Sequence, residues 1–286
     1  MNGIVIVDKP SGWTSQDVTA RLRRVFDTRR IGHGGTLDPM ATGVLPVFVG
    51  RATRGVEFFE HAEKTYEALL LPGLTTDTED VTGTVLQKRE VSLTEQDVEA
   101  VLPRFRGEIL QVPPMYSALK VNGQKLCDLA RKGKEIARQP RPITIHELEF
   151  LGFQEGMVKL RVRCSKGTYV RTLCKDIGEA LGCGGCMAQL RRVAAGEYTI
   201  GEAVPLEVLL EAPDPERYLR SVDTMFRNYP ALELTPNQET RCRNGNAFSL
   251  ALPDGTYRAY SPTGEFLMLA KSENGIMSTI KSFFDI

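Results

Sequence analysis

A single carboxylate, Asp38, stands in the stretch from Gly32 to Pro46, GHGGTLDPMATGVLP, together with one histidine, His33, four glycines and two threonines. Glycines let a backbone turn tightly or lie close to a ligand, and the proline after Asp38 biases the aspartate towards a fixed turn. A carboxylate on a stiff loop can act as a nucleophile or as a base. It can equally be the capping residue of an ordinary surface turn, because Gly, Asp and Pro cluster in loops generally. The choice between the two rests on residues elsewhere in the chain.

Two of them bear on it directly. Tyr66 opens an apolar run and has a flat face that can stack on a base, although half-buried packing is the common use of such a tyrosine. Arg171 falls in the first turn of an expected helix, where the helix dipole opposes a cation. An acidic partner would offset that penalty and Asp38 can supply it; a solvated arginine that tolerates the penalty is the alternative. Other chemistry is less well supported. Cys183-Gly184-Gly185-Cys186 has the spacing of a zinc or redox pair, but His33, His61 and His146 are scattered and no second ligand pair is visible, so reduced structural cysteines are expected. The run Thr76-Asp77-Thr78-Glu79-Asp80 alternates oxygen ligands but lacks the later glycine and glutamate of a calcium loop, and reads as a solvated loop. No metal and no cofactor are expected.

The elements that must position these residues follow from periodicity. Ile4 to Val7 reads as a short strand, followed by a turn at Lys9-Pro10-Ser11-Gly12. Thr14 or Ser15 then caps a helix with Val18, Leu22, Val25 and Phe26 on one face. Arg21, Arg23, Arg24, Arg29 and Arg30 line its other sides and its C-terminal end, where they suit the dipole or a phosphate. Val44 to Val49 and Tyr66 to Leu71 read as strands, and a further helix begins at Ser92 or Thr94. The segment from Val112 to Lys120 is extended and stiffened by prolines. Asn122-Gly123 is a turn signal, after which Leu126 to Lys134 reads as a basic helix, so the region is an arm or a plain surface connection. From Val158 to Cys164 apolar and basic residues alternate strictly, with Lys159, Arg161 and Arg163 on one face of a strand. A turn leads into a helix from about Tyr169 to Leu181. From Leu234 onward short strands and turns predict a small all-β unit, too small to hold a core unaided and so expected to pack against the large domain. The domain boundaries expected are residues 1–229 and 230–286.

At 286 residues, with 42% hydrophobic and 25% charged residues, the composition is that of a folded globular chain and excludes a disordered one. No apolar run is long enough for a membrane helix, and the start has no basic residue ahead of its apolar run, so neither a membrane partner nor a signal peptide is expected and the cytoplasm is the expected location. The net charge of zero conceals an asymmetry. From Leu119 to Arg192 there are 15 Lys/Arg against 7 Asp/Glu, a net of +8, while from Gly55 to Tyr116 there are 5 against 12, a net of −7. The basic region can hold phosphates or merely solubilise helix faces.

Six motifs in order make the chain resemble bacterial tRNA pseudouridine-55 synthases of the TruB type. They are Asp8-Lys9-Pro10-x-Gly12-x-Thr14-Ser15; Gly32-His33-x-Gly35-Thr36-Leu37-Asp38-Pro39-x-Ala41-x-Gly43-x-Leu45; Lys64-x-Tyr66; Pro114-x-Tyr116-Ser117-Ala118-x-Lys120; Lys166-Gly167-Thr168-Tyr169-Val170-Arg171-x-Leu173; and Leu190-Arg191-Arg192. The resemblance implies an α+β fold with a mixed, largely antiparallel central sheet, flanking helices and a cleft, plus a C-terminal all-β unit of the PUA type that binds RNA. It implies isomerisation of a T-loop uridine of tRNA, with no cofactor, by a monomer. Asp38 matches the catalytic aspartate, Tyr66 the tyrosine stacked on the target base and Arg171 the arginine paired with the aspartate. Leu190 matches an apolar residue of the same pocket, His33 the histidine that meets the RNA near the flipped nucleotide, and Lys9 with Pro10 a motif that supports the site. Tyr169, beside Arg171, is expected to contact substrate. Cys127 departs from the pattern, standing where an aromatic residue is expected in the arm. A protein that binds or folds tRNA without chemistry, and a zinc or thiol-redox protein, are the alternatives.

Overall fold

The computed structural model describes residues 1–121 and 123–284. Strand β1 (Gly3–Lys9) is the apolar run near the start, with Ile4 to Val7 wholly buried. Thr14 caps α1 (Ser15–Val25). Its hydroxyl accepts from Asp17 N at 3.0 Å while the Asp17 carboxylate accepts from Thr14 N at 3.0 Å, a reciprocal box that uses two helix-start donors. Val18 and Leu22 turn inward and Arg21, Arg23 and Arg24 outward. Next come β2 (Ile31–His33), β3 (Thr42–Val49) and α2 (Val56–Phe59).

The middle of the chain contributes β4 (Lys64–Pro72), β5 (Leu74–Thr76), β6 (Val85–Lys88), α3 (Glu95–Val101), β7 (Gly107–Gln111), β8 (Lys120–Val121), β9 (Gln124–Lys125), α4 (Leu126–Ala130), β10 (Arg141–Gln154), β11 (Met157–Cys164), α5 (Val170–Ala180) and β12 (Gly185–Ala195). The last part holds β13 (Tyr198–Thr199), β14 (Val204–Pro205), α6 (Leu206–Glu211), β15 (Ala231–Glu233), α7 (Pro236–Arg243), β16 (Phe248–Ser249), β17 (Gly255–Tyr260), β18 (Phe266–Glu273) and β19 (Ile276–Ser282). These form two compact units, Met1–Pro39 with Val44–Glu60 and Glu197–Ile286, and Met40–Gly43 with His61–Gly196.

In the first unit β1 lies between β3 and β14, running parallel to β14, and β2 pairs antiparallel with β3. In the second, the strand order is β12-β4-β11-β10-β7, antiparallel throughout, and Thr42-Gly43 pairs in parallel with Arg191-Arg192. The sheet is therefore mixed and largely antiparallel, with helices beside it, as the motifs imply. Gly43 has φ +101° and a Cβ there would stand 2.2 Å from the Arg192 carbonyl, so only glycine permits this pairing.

The alternation on β11 is as expected, with Val158, Leu160, Val162 and Cys164 buried. Its basic face is not open to phosphates, however. Arg161 binds Glu67 at 2.8 Å, Lys159 lies 3.5 Å from the same carboxylate, and Arg163 binds Glu63 and Glu147 at 2.7 Å each. The neighbouring strands supply the acids that a single strand read alone cannot show. In the arm, α4 ends at Ala130, short of the expected Lys134. Asn122 of the expected turn lies outside the described residues, while Gly123 has φ +81° between β8 and β9.

The C-terminal sheet, ordered β15-β17-β18-β19-β16, carries α7 between its first strands. It has a small core of its own around Leu234, Leu267, Met268 and Met277. It also packs within the first unit as expected: Phe226 meets Phe266 and Phe283 at 6.1 and 5.8 Å between ring centres, Asp223 accepts from Tyr260 Oη at 2.7 Å, and Lys281 pairs with Glu57.

Candidate active site

In the first unit, Asp38 is half-buried and both neighbours of its peptide are clamped. Ser15 Oγ, the first residue of α1, accepts from Leu37 N at 2.9 Å and donates to Leu37 O at 3.2 Å. On the other side, Pro39 O accepts from Gly12 N at 2.8 Å and from Lys9 Nζ at 3.2 Å. Lys9 is completely buried and its ammonium also donates to Pro10 O at 2.9 Å and Trp13 O at 2.6 Å. A buried cation must be solvated by the protein, and the carbonyls that do it belong to the turn after β1 and to the loop of Asp38. The Asp8-to-Ser15 motif is thus the clamp of the carboxylate loop. His33, on β2 opposite Val47, lies 3.3 Å from the Gln16 amide on α1. Gly34 follows because a Cβ there would stand 2.5 Å from the Phe59 ring.

In the second unit, Tyr66 sits on β4 between Val162 of β11 and Arg192 of β12, and Leu190 lies opposite Ala68. Residues two apart on a strand, and those directly opposite, share a face. Tyr66, Ala68, Leu190 and Arg192 therefore line one side of the sheet, with Tyr66 and Leu190 each 8% exposed. Arg171, in the first turn of α5, is 5% exposed. Its Nη1 donates to Thr78 O at 3.1 Å and its Nη2 to Tyr116 O at 2.8 Å, and Nη1 lies 3.6 Å from Asp80 Oδ2. A planar guanidinium can serve several acceptors at once with its position fixed. Tyr169 stands immediately before α5, and the Gln111 side chain grips its main chain, accepting from Tyr169 N at 2.9 Å and donating to Tyr169 O at 3.1 Å.

The solvated loop expected at Thr76 to Asp80 is corrected here. Asp80 is buried and accepts at Oδ1 from Thr82 N at 2.9 Å, Thr78 Oγ1 at 2.9 Å and Thr82 Oγ1 at 2.5 Å. Glu79 accepts from Thr172 Oγ1 at 2.5 Å. The acidic run is a socket for the start of α5, and the opposition of the helix dipole to Arg171 is met within this unit by Asp80 and two carbonyls. Asp80 and Gln111 are positioning residues that local pattern did not mark out. The signal for Asp80 was the run of acids ahead of a helix that starts with an arginine; Gln111, a neutral amide, left none.

Both cysteines of the pair, Cys183 and Cys186, are free thiols. Cys186 is buried on β12 and burial pushes its thiol up to about 11, which opposes the reactive thiolate. Cys183 Sγ lies 3.2 Å from Gly184 O. Among the described residues, no group of three or more His, Cys, Asp or Glu is placed to hold a metal, and no helix is long and apolar enough to cross a membrane.

A family model described as TruB family pseudouridylate synthase, N-terminal domain, matches residues 23–170, and one described as tRNA pseudouridylate synthase B C-terminal domain matches residues 171–225. Together they define the class as a pseudouridine-forming isomerase. Curated proteins named tRNA pseudouridine synthase B are similar along nearly their whole length: that of Pseudomonas fluorescens strain Pf0-1 is 43% identical over 96% of this chain and 93% of the relative, and that of Clostridium kluyveri 39% identical over 99% and 100%. A solved Cbf5–Nop10–Gar1 complex matches with a TM-score of 0.74 at 25% identity, over 99% of this chain and 85% of that chain. The chain belongs to the TruB family of pseudouridylate synthases.

Proposed function

We propose that the chain converts the uridine at position 55 in the T-loop of tRNA to pseudouridine, with Asp38 as the reacting carboxylate. Relatives of this length and similarity named for tRNA support the substrate. The observation that carries the role of Asp38 is the clamp: main-chain groups on both sides of it are fixed by Ser15, Gly12 and Lys9. A surface turn has no need of a fully buried lysine beneath it.

The reaction is an isomerisation. The bond from C1′ to N1 breaks, the base turns, C1′ joins C5, the C5 proton leaves and N1 gains one. One carboxylate can begin this by attack on the sugar or base, or by removing a sugar proton. In this reading Arg171, its guanidinium held by Thr78, Tyr116 and Asp80, serves to orient the reacting carboxylate. The uridine must leave its stack at a cost of a few kcal/mol. Stacking on Tyr66, worth about 1–3 kcal/mol, offsets part of that, and Leu190, on the same side of the sheet, adds an apolar wall. His33 occupies the space the base leaves, and Tyr169, fixed by Gln111, contacts the ribose or phosphate. Residues 1–229 act as the catalytic domain and 230–286 as a PUA-like RNA-binding domain, in a monomer that works in the cytoplasm.

The test is to treat a tRNA transcript with the protein, add a carbodiimide that leaves a stable adduct on pseudouridine, and read where reverse transcription stops. A new stop one nucleotide 3′ of position 55, reporting an adduct on that residue, is expected. Stops elsewhere only, or none, would contradict the assignment of site.

A further inference from the structure

Beside the Asp38 clamp, the turn Gly12-Trp13 and α1 border an open cleft of about 510 Å³, lined by Gly12, Trp13, Asp17, Ala20, Arg21 and Arg24. Residues 17, 20, 21 and 24 recur at the spacing of one helix face. Trp13 forms the wall opposite. It is half-buried and anchored, since Lys9 Nζ donates to its carbonyl at 2.6 Å and Thr14 begins the helix cap immediately after it. The Arg21 guanidinium lies 5.9 Å from the centre of the indole.

Charge decides what fits there. The arginines of β11 are neutralised by glutamates at 2.7–2.8 Å. Among the described residues none of Arg21, Arg23, Arg24, Arg29 and Arg30 forms an ion pair, and Arg21 and Arg24 are exposed. Asp17 is the one acid lining the cleft. The Thr14 hydroxyl, with the Thr14 N–H, holds its carboxylate below the usual range, so it stays anionic but is turned to the cap at the opposite end from Arg24. An aromatic wall joined to unneutralised arginines is the chemistry that binds a nucleotide of an RNA strand, the ring taking a base or ribose face and the arginines a phosphate.

We propose that this cleft is a further RNA-contact site, which takes one nucleotide of the tRNA with its phosphate between Arg21 and Arg24 and its base or ribose against the Trp13 indole. The proposal rests on the reading of tRNA as substrate. The cleft's size suits one such group, being in the range of about 300–1,000 Å³ usual for small-molecule sites.

Trp13 is the only tryptophan of the chain, so its emission reports on this cleft alone. The intact protein is titrated with unmodified tRNA transcript while Trp13 fluorescence is followed, and pseudouridine formation in the same RNA is measured separately. Emission is expected to fall and saturate with RNA binding. The exposed double variant Arg21→Gln, Arg24→Gln should bind about tenfold more weakly at low salt, and its plot of log affinity against log salt should flatten by about 1.5, two charges at roughly 0.7–0.9 each. Unchanged emission at saturation, or a double variant with native midpoint and salt slope, would overturn the proposal. A native protein that quenches on binding but forms no pseudouridine would instead sink the catalytic reading and leave the cleft standing as an RNA site.

Discussion

At the scale of residues, Asp38 is defined less by its own neighbourhood in sequence than by what holds it. The glycines around it mark a turn; Lys9 and Ser15, from another motif, make that turn rigid. Arg171 has the same character, because its guanidinium is spread over two carbonyls and Asp80. A lysine in its place keeps the charge but not the fork. Arg171→Lys is expected to lower kcat at least about 100-fold while tRNA affinity changes less than about threefold, as seen in single-turnover kinetics beside filter binding. Asp80→Asn, which keeps shape and removes charge, should lower kcat about tenfold or more with little change in KM, since it acts through Arg171. An equal rise in KM would show instead that Asp80 serves binding.

At the scale of elements, the sequence was most informative where one strand or helix is its own witness. Thr14, three residues before Asp17, predicts the start of α1, and β11 alternates as written. What stayed hidden depends on pairing over long separations. Glu67 neutralises Arg161 from a strand 94 positions earlier, and Asp80 meets Arg171 from a loop that reads as solvent-exposed acid until α5 is laid against it. Ser15→Ala removes both bonds to Leu37 and should cost about 1–2 kcal/mol of stability, measurable by denaturant unfolding, together with a loss of activity from a looser Asp38 loop. On α5, burial raises the Asp176 carboxyl to about 6 from its ordinary value of 3.8. The folded state then holds more protons than the unfolded one between those values, so this group's contribution to stability falls as pH rises through that window. Asp176→Asn should therefore stabilise the protein at pH 7, by about 1 kcal/mol once its partial exposure is allowed for, and have little effect near pH 4. Destabilisation at pH 7 would show that its contact with Lys175 outweighs burial.

At the scale of the whole molecule, a chain of zero net charge handles an anionic polymer by distributing its charge, but the sequence tally overstated where. Part of the +8 between Leu119 and Arg192 is spent inside the sheet, on Glu63 and Glu67, acids from outside that stretch. Arg161→Gln is accordingly expected to leave tRNA affinity and its salt slope unchanged, within about twofold, while Arg21 and Arg24 variants move both. The C-terminal unit was legible as short strands, and its need for a neighbour followed from its size; α7, polar nearly all round, was not, because it lacks an apolar stripe. The claim on which the rest depends is that Asp38 drives an isomerisation at uridine C5. A T-arm transcript carrying tritium at C5 tests it most directly: the native protein should release tritium to water and Asp38→Asn, though still bound to the RNA, should release none above background. Release by Asp38→Asn at the native rate, or none from the native protein, would contradict the account.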